Sequence, residues 1–203
     1  MLQIGTVAPD VLELLRKLQS IPDLSDTRLV GGTALALHLG HRLSVDLDLF
    51  GNFEQETITE TLKSESFNSF LVLKESKFIK QYFINQVKID IVKFGRYPWL
   101  EETIVDNQIK IAGMKDIAAM KVAAITNRGS RKDFIDLYFL LKVFDLSEIL
   151  KFYESKFFDA DIIFAIRSLS YFVDAEKADM PKMLIPTSWE DVKEKIITEV
   201  KKI

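Results

Sequence analysis

The stretch SVDLDLF, residues 44–50, alternates strictly between apolar and polar positions. Successive side chains of a strand point to opposite faces, so Val45, Leu47 and Leu49 share one face and Asp46 and Asp48 the other. A chain with this pattern must build a sheet with one apolar face here and accommodate two carboxylates on the other. At a strand rise of about 3.3 Å per residue the two acids stand roughly 6.6 Å apart. Like charges so placed repel unless water surrounds them or a cation sits between them. Two readings fit a bare Asp-x-Asp: an edge strand with one wet face, or an oxygen platform for Mg²⁺, an ion commonly held by one or two carboxylates plus substrate phosphates.

The preceding residues favour the second. TRLVGG predicts a short strand ending in glycines, and TALALHLGHR a helix with an apolar body of Ala34, Leu35, Leu37 and Leu39. Gly31 and Gly32 let the backbone turn sharply and let a ligand approach the main chain. Thr33 falls near the helix N-terminus, where free N–H groups and the helix dipole make an anion site. Gly-Gly-Thr alone also suits an ordinary turn and cap. The whole pattern is more specific, because it sets a phosphate cradle beside a metal platform. In VKIDIVKF, Asp90 repeats the anomaly of an acid among apolar strand neighbours, and is read either as a third carboxylate or as a solvated edge residue.

The rest of the chain reads as an α/β (α+β) protein with a small mixed sheet. APDVLELLRKLQSI and QETITETLKSE are helices; FLVL, FIKQYFI and VKIDIVKF are strands, with a turn at Asn85-Gln86; NQIKIAG is one more short strand. From about Met114 the pattern becomes helical, through MKDIAAMKVAAITNR, RKDFIDLYFLLKVF, LSEILKFYESKF and DADIIFAIRSLSYFV. PKMLIP is a linker before a last helix opened by Thr187, with Glu190 placed for a capping box. The expected division is an α/β lobe over 1–112 and a helical lobe over 113–203. The chain has no cysteine, which removes disulfides, thiolate nucleophiles and cysteine-ligated zinc. Its net charge of −3 offers no global attraction to nucleic acid, so such binding needs a local basic patch. No signal peptide and no membrane-spanning run is evident, so a cytoplasmic protein is expected.

GGTALALHLGHRLSVDLDLF resembles the first motif of the polymerase-β nucleotidyltransferase superfamily. KVAAITNRGSRKDFIDLYFLL, with a helical lysine, an arginine and then Lys-Asp ahead of a further Asp, is similar to the downstream motif of the AbiEii/AbiGii toxin family, which includes the MenT toxins. YFVDAEKADMPKML is also similar to that family, so the resemblance covers nearly the whole chain. It implies a polymerase-β-like lobe followed by a helical C-terminal lobe, with an NTP and Mg²⁺ in the cleft between them. It further implies that Gly31, Gly32 and Thr33 hold triphosphate oxygens. Asp46, Asp48 and Asp90 would hold two metal ions, Asp90 also being a possible base. Lys121 would neutralise phosphate, and Asp133 would complete the site. The implied role is the toxin of a bacterial toxin–antitoxin pair, moving an NMP to an acceptor hydroxyl such as a tRNA 3′ end, with a cognate antitoxin protein as partner.

The residues of the second motif leave more open. Lys121 interrupts an Ala-rich helix where packing favours an apolar side chain. Arg128, Arg131 and Lys132 read either as an RNA-contacting patch or as a solvated loop bracing two helices. Asp133 and Asp136 lie in a first helical turn, where acids suit the dipole without any function, and Asp136 is read as structural. His38 and His41 lack partners spaced for a metal site and are read as packing or surface residues. Two other functions stay open: transfer to a small-molecule, antibiotic-like hydroxyl, and a non-catalytic nucleotide-binding module. The intact carboxylates speak against the last.

Overall fold

The computed structural model describes residues 1–53 and 55–203. Helix α1 (Pro9–Ser20) opens with its proline at the first position, where the missing N–H does no harm, and buries Val11, Leu14, Leu15 and Leu18. Strand β1 (Arg28–Val30) runs directly into α2 (Gly31–Leu39), which Gly40 ends in the left-handed conformation. Strand β2 (Leu47–Gly51) returns antiparallel to β1, with Val30 opposite Asp48. Helix α3 (Gln55–Ser64) leads to β3 (Phe70–Glu75), β4 (Ile79–Ile84) and β5 (Val87–Lys93), and then come β6 (Ile104–Asp106) and β7 (Ile109–Ile111).

Together the strands form one seven-stranded mixed sheet in the order β3-β4-β5-β2-β1-β7-β6. The central strand β2 is parallel to β5 and antiparallel to β1. Two hairpins use the same dipeptide. Asn85-Gln86 and Asn107-Gln108 all have positive φ, the conformation that lets a two-residue turn follow the strand twist. The first turn is the predicted one. The second creates β6, which the sequence reading passes over because three residues are too few to show a period.

The helices that follow are α4 (Met114–Asn127), α5 (Arg131–Leu140), α6 (Leu146–Lys156), α7 (Ile162–Ser168) and α8 (Trp189–Val200). One buried apolar cluster runs from Leu15 and Leu18 through Leu47, Leu49 and Ile89 to Val122, Phe134 and Ile196, joining the sheet to these helices. Helix α2 packs on both α4 and α5, which brings the Gly-Gly turn against the second motif. The capping box of α8 stands one residue later than predicted. Ser188 Oγ accepts from the Asp191 N–H at 3.0 Å, and the Asp191 carboxylate accepts from the Ser188 N–H. Both pairs have the right spacing; Trp189, buried against Phe134 and Phe172, sets the phase.

Candidate active site

Alternation in β2 is preserved, with Leu47 and Leu49 fully buried on one face. The strand begins at Leu47, however, so Asp46 sits just before it and Val45 is exposed rather than aligned with the two leucines. The bend is held by α2. The buried Thr33 hydroxyl donates to the Asp46 carbonyl and lies 2.8 Å from Ser44 Oγ. Thr33 Oγ therefore shapes the loop that presents Asp46, and main-chain N–H groups remain as the donors of the turn. Among the described residues no side chain caps the start of α2, so its first-turn N–H groups are left for an external acceptor.

Gly31 has φ +71°, and a Cβ there would collide with the Asp48 carboxylate. A Cβ on Gly32 would collide with the Arg42 guanidinium. The two glycines thus do separate work. Gly31 lets a strand carboxylate lie against the turn, and Gly32 lets a cation do so.

Asp48 and Asp90 stand opposite each other on the parallel strands β2 and β5. Burial, reinforced by the neighbouring Asp90 carboxylate, pushes Asp48 up to about 6. Gln81 Nε2 and Lys88 Nζ donate to one oxygen of Asp90, at 3.0 and 2.9 Å. The other oxygen, Oδ1, is buried without a hydrogen-bond partner. An orphaned carboxylate oxygen beside a carboxylate with a raised pKa is the chemistry of a hard-cation site, and Asp46, Asp48 and Asp90 fit Mg²⁺ in donor type. No group of three acidic, histidine or cysteine side chains among the described residues forms a ready-made cage. A cation here would share its oxygen ligands between these carboxylates and a nucleotide's phosphates.

Behind the turn lies a buried ionic network. Lys121 Nζ is 3.0 Å from Asp133 Oδ1 and 2.7 Å from Asp136 Oδ2. Arg42 holds Asp136 bidentately, at 2.8 and 2.9 Å, and His41 Nε2 lies 2.8 Å from the same carboxylate. Arg128 grips Asp133 through Nε and Nη2, and the Ser130 hydroxyl donates to it at 2.7 Å. Burial alone would raise both acids, but Lys121 with Arg128 and Ser130 at Asp133, and Lys121 with Arg42 and His41 at Asp136, hold them well below the usual carboxylate range. Three cations (Lys121, Arg42 and Arg128) face two carboxylates, so the network presents one net positive charge beside the Gly-Gly turn. Asp136 lies beyond the first turn of α5, so the helix dipole does not account for it as expected; its buried carboxylate is held by Lys121, Arg42 and His41 instead. His41 is a packed residue bonded to it, and His38 Nε2 lies 2.9 Å from the Ala112 carbonyl.

A cavity of about 700 Å³ gathers these parts. Gly32, Thr33, Asp46 and Asp48 line one side; Lys121, Arg128, Arg131, Lys132 and Asp133 line the other; residues 178–182 form a further wall. That wall is tied to the loop after α2, where the Leu43 N–H donates to Lys182 O and the Leu184 N–H to His41 O. Asp90 is not in the lining but meets the cavity's chemistry through Asp48. The basic cluster separates into two kinds of residue. Lys132 and Arg128 are exposed. The Arg131 guanidinium bonds the Ala175 and Glu176 carbonyls at 2.9 and 3.0 Å and covers the Trp189 ring.

Arg42, Ser44 and Ser130 are site residues that sequence reasoning missed. Arg42 follows a helix end, where a base serves the dipole, and so carries no signal of its own. Its buried partner Asp136 was the available clue.

A seven-stranded sheet with a Gly-Gly turn, paired strand carboxylates and a cation-lined cleft agrees with the nucleotidyltransferase class that the sequence motifs resemble. Residues 13–202 match the model of the family described as nucleotidyl transferase AbiEii toxin, type IV TA system, and the chain belongs to that family. It is 37% identical over 204 residues to an uncharacterized protein of Aquifex aeolicus (strain VF5), covering 93% of each chain. Its fold is similar to that of JHP933 from Helicobacter pylori, with TM-score 0.58, 16% identity, and 97% and 92% of the two chains covered. It is also similar to MenT4, a nucleotidyltransferase toxin from Mycobacterium tuberculosis H37Rv, with TM-score 0.51, 15% identity, and 95% and 85% covered. Family membership supports an enzyme of nucleotidyl transfer acting on an NTP. No helix among the described residues is long and apolar enough to cross a membrane.

Proposed function

We propose that this chain moves an NMP from an NTP to a hydroxyl at an RNA end, such as a tRNA 3′ end, and acts as the toxin of a toxin–antitoxin pair. The observation that carries the reading is one cleft in which an uncapped helix start, the Asp46 and Asp48 carboxylates and a net-positive ionic network face one another. In the reaction the acceptor oxygen bonds to the α-phosphorus, the bond from that phosphorus to the bridging oxygen breaks, and pyrophosphate leaves. The N–H groups at Gly31, Gly32 and Thr33 would bind triphosphate oxygens, with Lys121, Arg42 and Arg128 supplying the positive field behind them. Asp90, whose buried Oδ1 has no hydrogen-bond partner, would face a cation beside Asp48 or take the acceptor proton once the site is filled. Asp46, Asp48 and Asp90 would hold Mg²⁺, which when bound supplies charge stabilisation at the attacking and leaving oxygens. Asp133 would position Lys121 and Arg128 rather than touch substrate, because its oxygens are already taken by them and by Ser130.

Incubation of the purified protein with each labelled NTP and total tRNA, with and without Mg²⁺, tests the reading. Labelled tRNA that forms only with Mg²⁺ is the expected result. Transfer to a small hydroxyl compound with none to RNA would overturn the acceptor class. In cells, expression should slow bacterial growth and Asp48→Ala should relieve it; equal growth inhibition by both would overturn the toxin role.

A further inference from the structure

A second cavity of about 470 Å³ lies between the end of α4 and the segment formed by α7 and the loop after it. Arg128 lines both cavities. The wall from α7 and the loop after it carries Phe164, 55% exposed, and Tyr171, 57% exposed. These rings are displayed on a firm support. Ala165 and Leu169 are fully buried, and Asp161 caps the helix by accepting from the Ile163 and Phe164 N–H groups. Arg167 stands beside the rings, exposed and with no ion pair among the described residues. Asp174, also in the wall, lies 3.9 Å from Lys177.

We propose that this cavity is a nucleobase subsite that takes the single-stranded end of the acceptor RNA, next to the catalytic cleft. Exposed rings interleaved with guanidinium groups are the combination that stacks unpaired bases while the cations meet the backbone. A protein partner would also cover apolar rings. It would need acids placed opposite Arg167 and Arg128, whereas a phosphate backbone is complementary to both along its whole length. The position decides the source of the base. Arg128 lines both cavities and no residue of the Gly-Gly turn lines the subsite, so a strand seated here lies next to the cleft without occupying the turn where the triphosphate would bind. The inference rests on the reading that the acceptor is RNA.

The test is fluorescence anisotropy with a short labelled single-stranded RNA, paired with calorimetry using NTP and Mg²⁺, on the wild type, Phe164→Ala, Tyr171→Ala and Arg167→Ala. All three positions are exposed, so unchanged melting temperatures should accompany the variants. Each ring removed is expected to weaken RNA binding roughly 5- to 100-fold, with NTP affinity unchanged and with Tyr171→Phe near the wild type. RNA affinity equal to the wild type in both ring variants would overturn the subsite while leaving the RNA reading intact. Loss of NTP affinity with RNA binding retained would overturn it in favour of a site for the incoming base. A wild type that binds no RNA would overturn the acceptor reading itself, and the subsite with it.

Discussion

Lys121 Nζ lies 2.7 Å from Asp136 Oδ2, with both side chains almost wholly out of water. From the sequence alone, a lysine inside an apolar helix needs an anion, and the nucleotide is the expected one, so Lys121→Met should leave stability unchanged or higher. The protein instead supplies two anions of its own, Asp133 and Asp136. Removing the cation leaves buried carboxylates undercompensated, which typically destabilises by about 3–5 kcal/mol. Lys121→Met is therefore expected to lower the urea midpoint markedly as well as weaken NTP binding in calorimetry. A midpoint equal to that of the wild type would show that the network does not brace the fold.

The same network sets the response to acid. Asp133 and Asp136 sit well below the ordinary carboxylate value of 3.8. A depressed acid contributes stability that is present above its unfolded pKa and lost as pH falls towards the folded one. His41 acts in the same direction over a higher window, because burial holds its pKa below 6.5 and the unfolded chain takes the proton more readily. Between pH 6.5 and 4 the His41 loss is opposed by Asp48, whose shift has the other sign, so the steep drop in melting temperature is expected below about pH 4, where Asp133 and Asp136 take up protons. Asp136→Asn should be less stable at neutral pH but flatter in the acid limb. Parallel acid limbs for the two proteins would contradict this assignment.

Asp48 has the opposite sign. Its pKa is pushed up from 3.8 to about 6, so its contribution is favourable at low pH and is lost as pH rises through 6. In metal-free protein at pH 8 the ionised group therefore opposes folding, by at most about 3 kcal/mol given its residual solvent contact. Asp48→Asn is expected to raise the metal-free melting temperature at pH 8, with the gain vanishing near pH 4. The same change should lower turnover by roughly 10²–10³ or more, as for loss of an electrostatic stabiliser. Mg²⁺ should stabilise the wild type more than the variant. Near-normal transfer by the stable variant would remove Asp48 from the chemistry.

Much of the sheet was legible because its strands announce themselves. VDLDLF and VKIDIVKF set their acids between apolar neighbours two apart, and Leu47, Leu49, Ile89 and Ile91 do fill the buried face. The Gly-Gly turn next to the Asp-x-Asp strand was legible as a pattern, but its glycines read as room for a ligand, and only the fold shows the Asp48 carboxylate against Gly31. What escaped depends on contacts remote in sequence. Arg42 and Asp136 are 94 residues apart, as the bidentate bond between them records, and nothing local marks either as the other's partner. Arg131 looked equivalent to Arg128 because both flank the same loop. Only the fold shows that Trp189 and the 175–176 carbonyls claim one of them.

That difference sharpens the expectation for RNA. The predicted patch treats Arg128, Arg131 and Lys132 alike, yet their surroundings divide the work. Lys132 and Lys182 line the main cavity, are exposed, and have no ion pair among the described residues. Each is therefore free to meet a phosphate. Arg131 is 13% exposed and spends its donors on the backbone of the segment that leads to the cavity wall. Counterion release makes phosphate contacts visible as salt dependence, at roughly 0.7 of a unit of log–log slope per contact on a single strand. Lys132→Ala combined with Lys182→Ala should weaken RNA binding for all sequences alike and flatten the salt slope by about one to two units, at unchanged melting temperature. Arg131→Ala should do the reverse, lowering the melting temperature while leaving the slope of the remaining folded protein near the wild-type value. Anisotropy titrations at several salt concentrations, run beside thermal melts, separate the two effects. A slope that falls for Arg131→Ala and holds for the lysine pair would mean that RNA crosses the 175–176 segment instead of the mouth of the cleft.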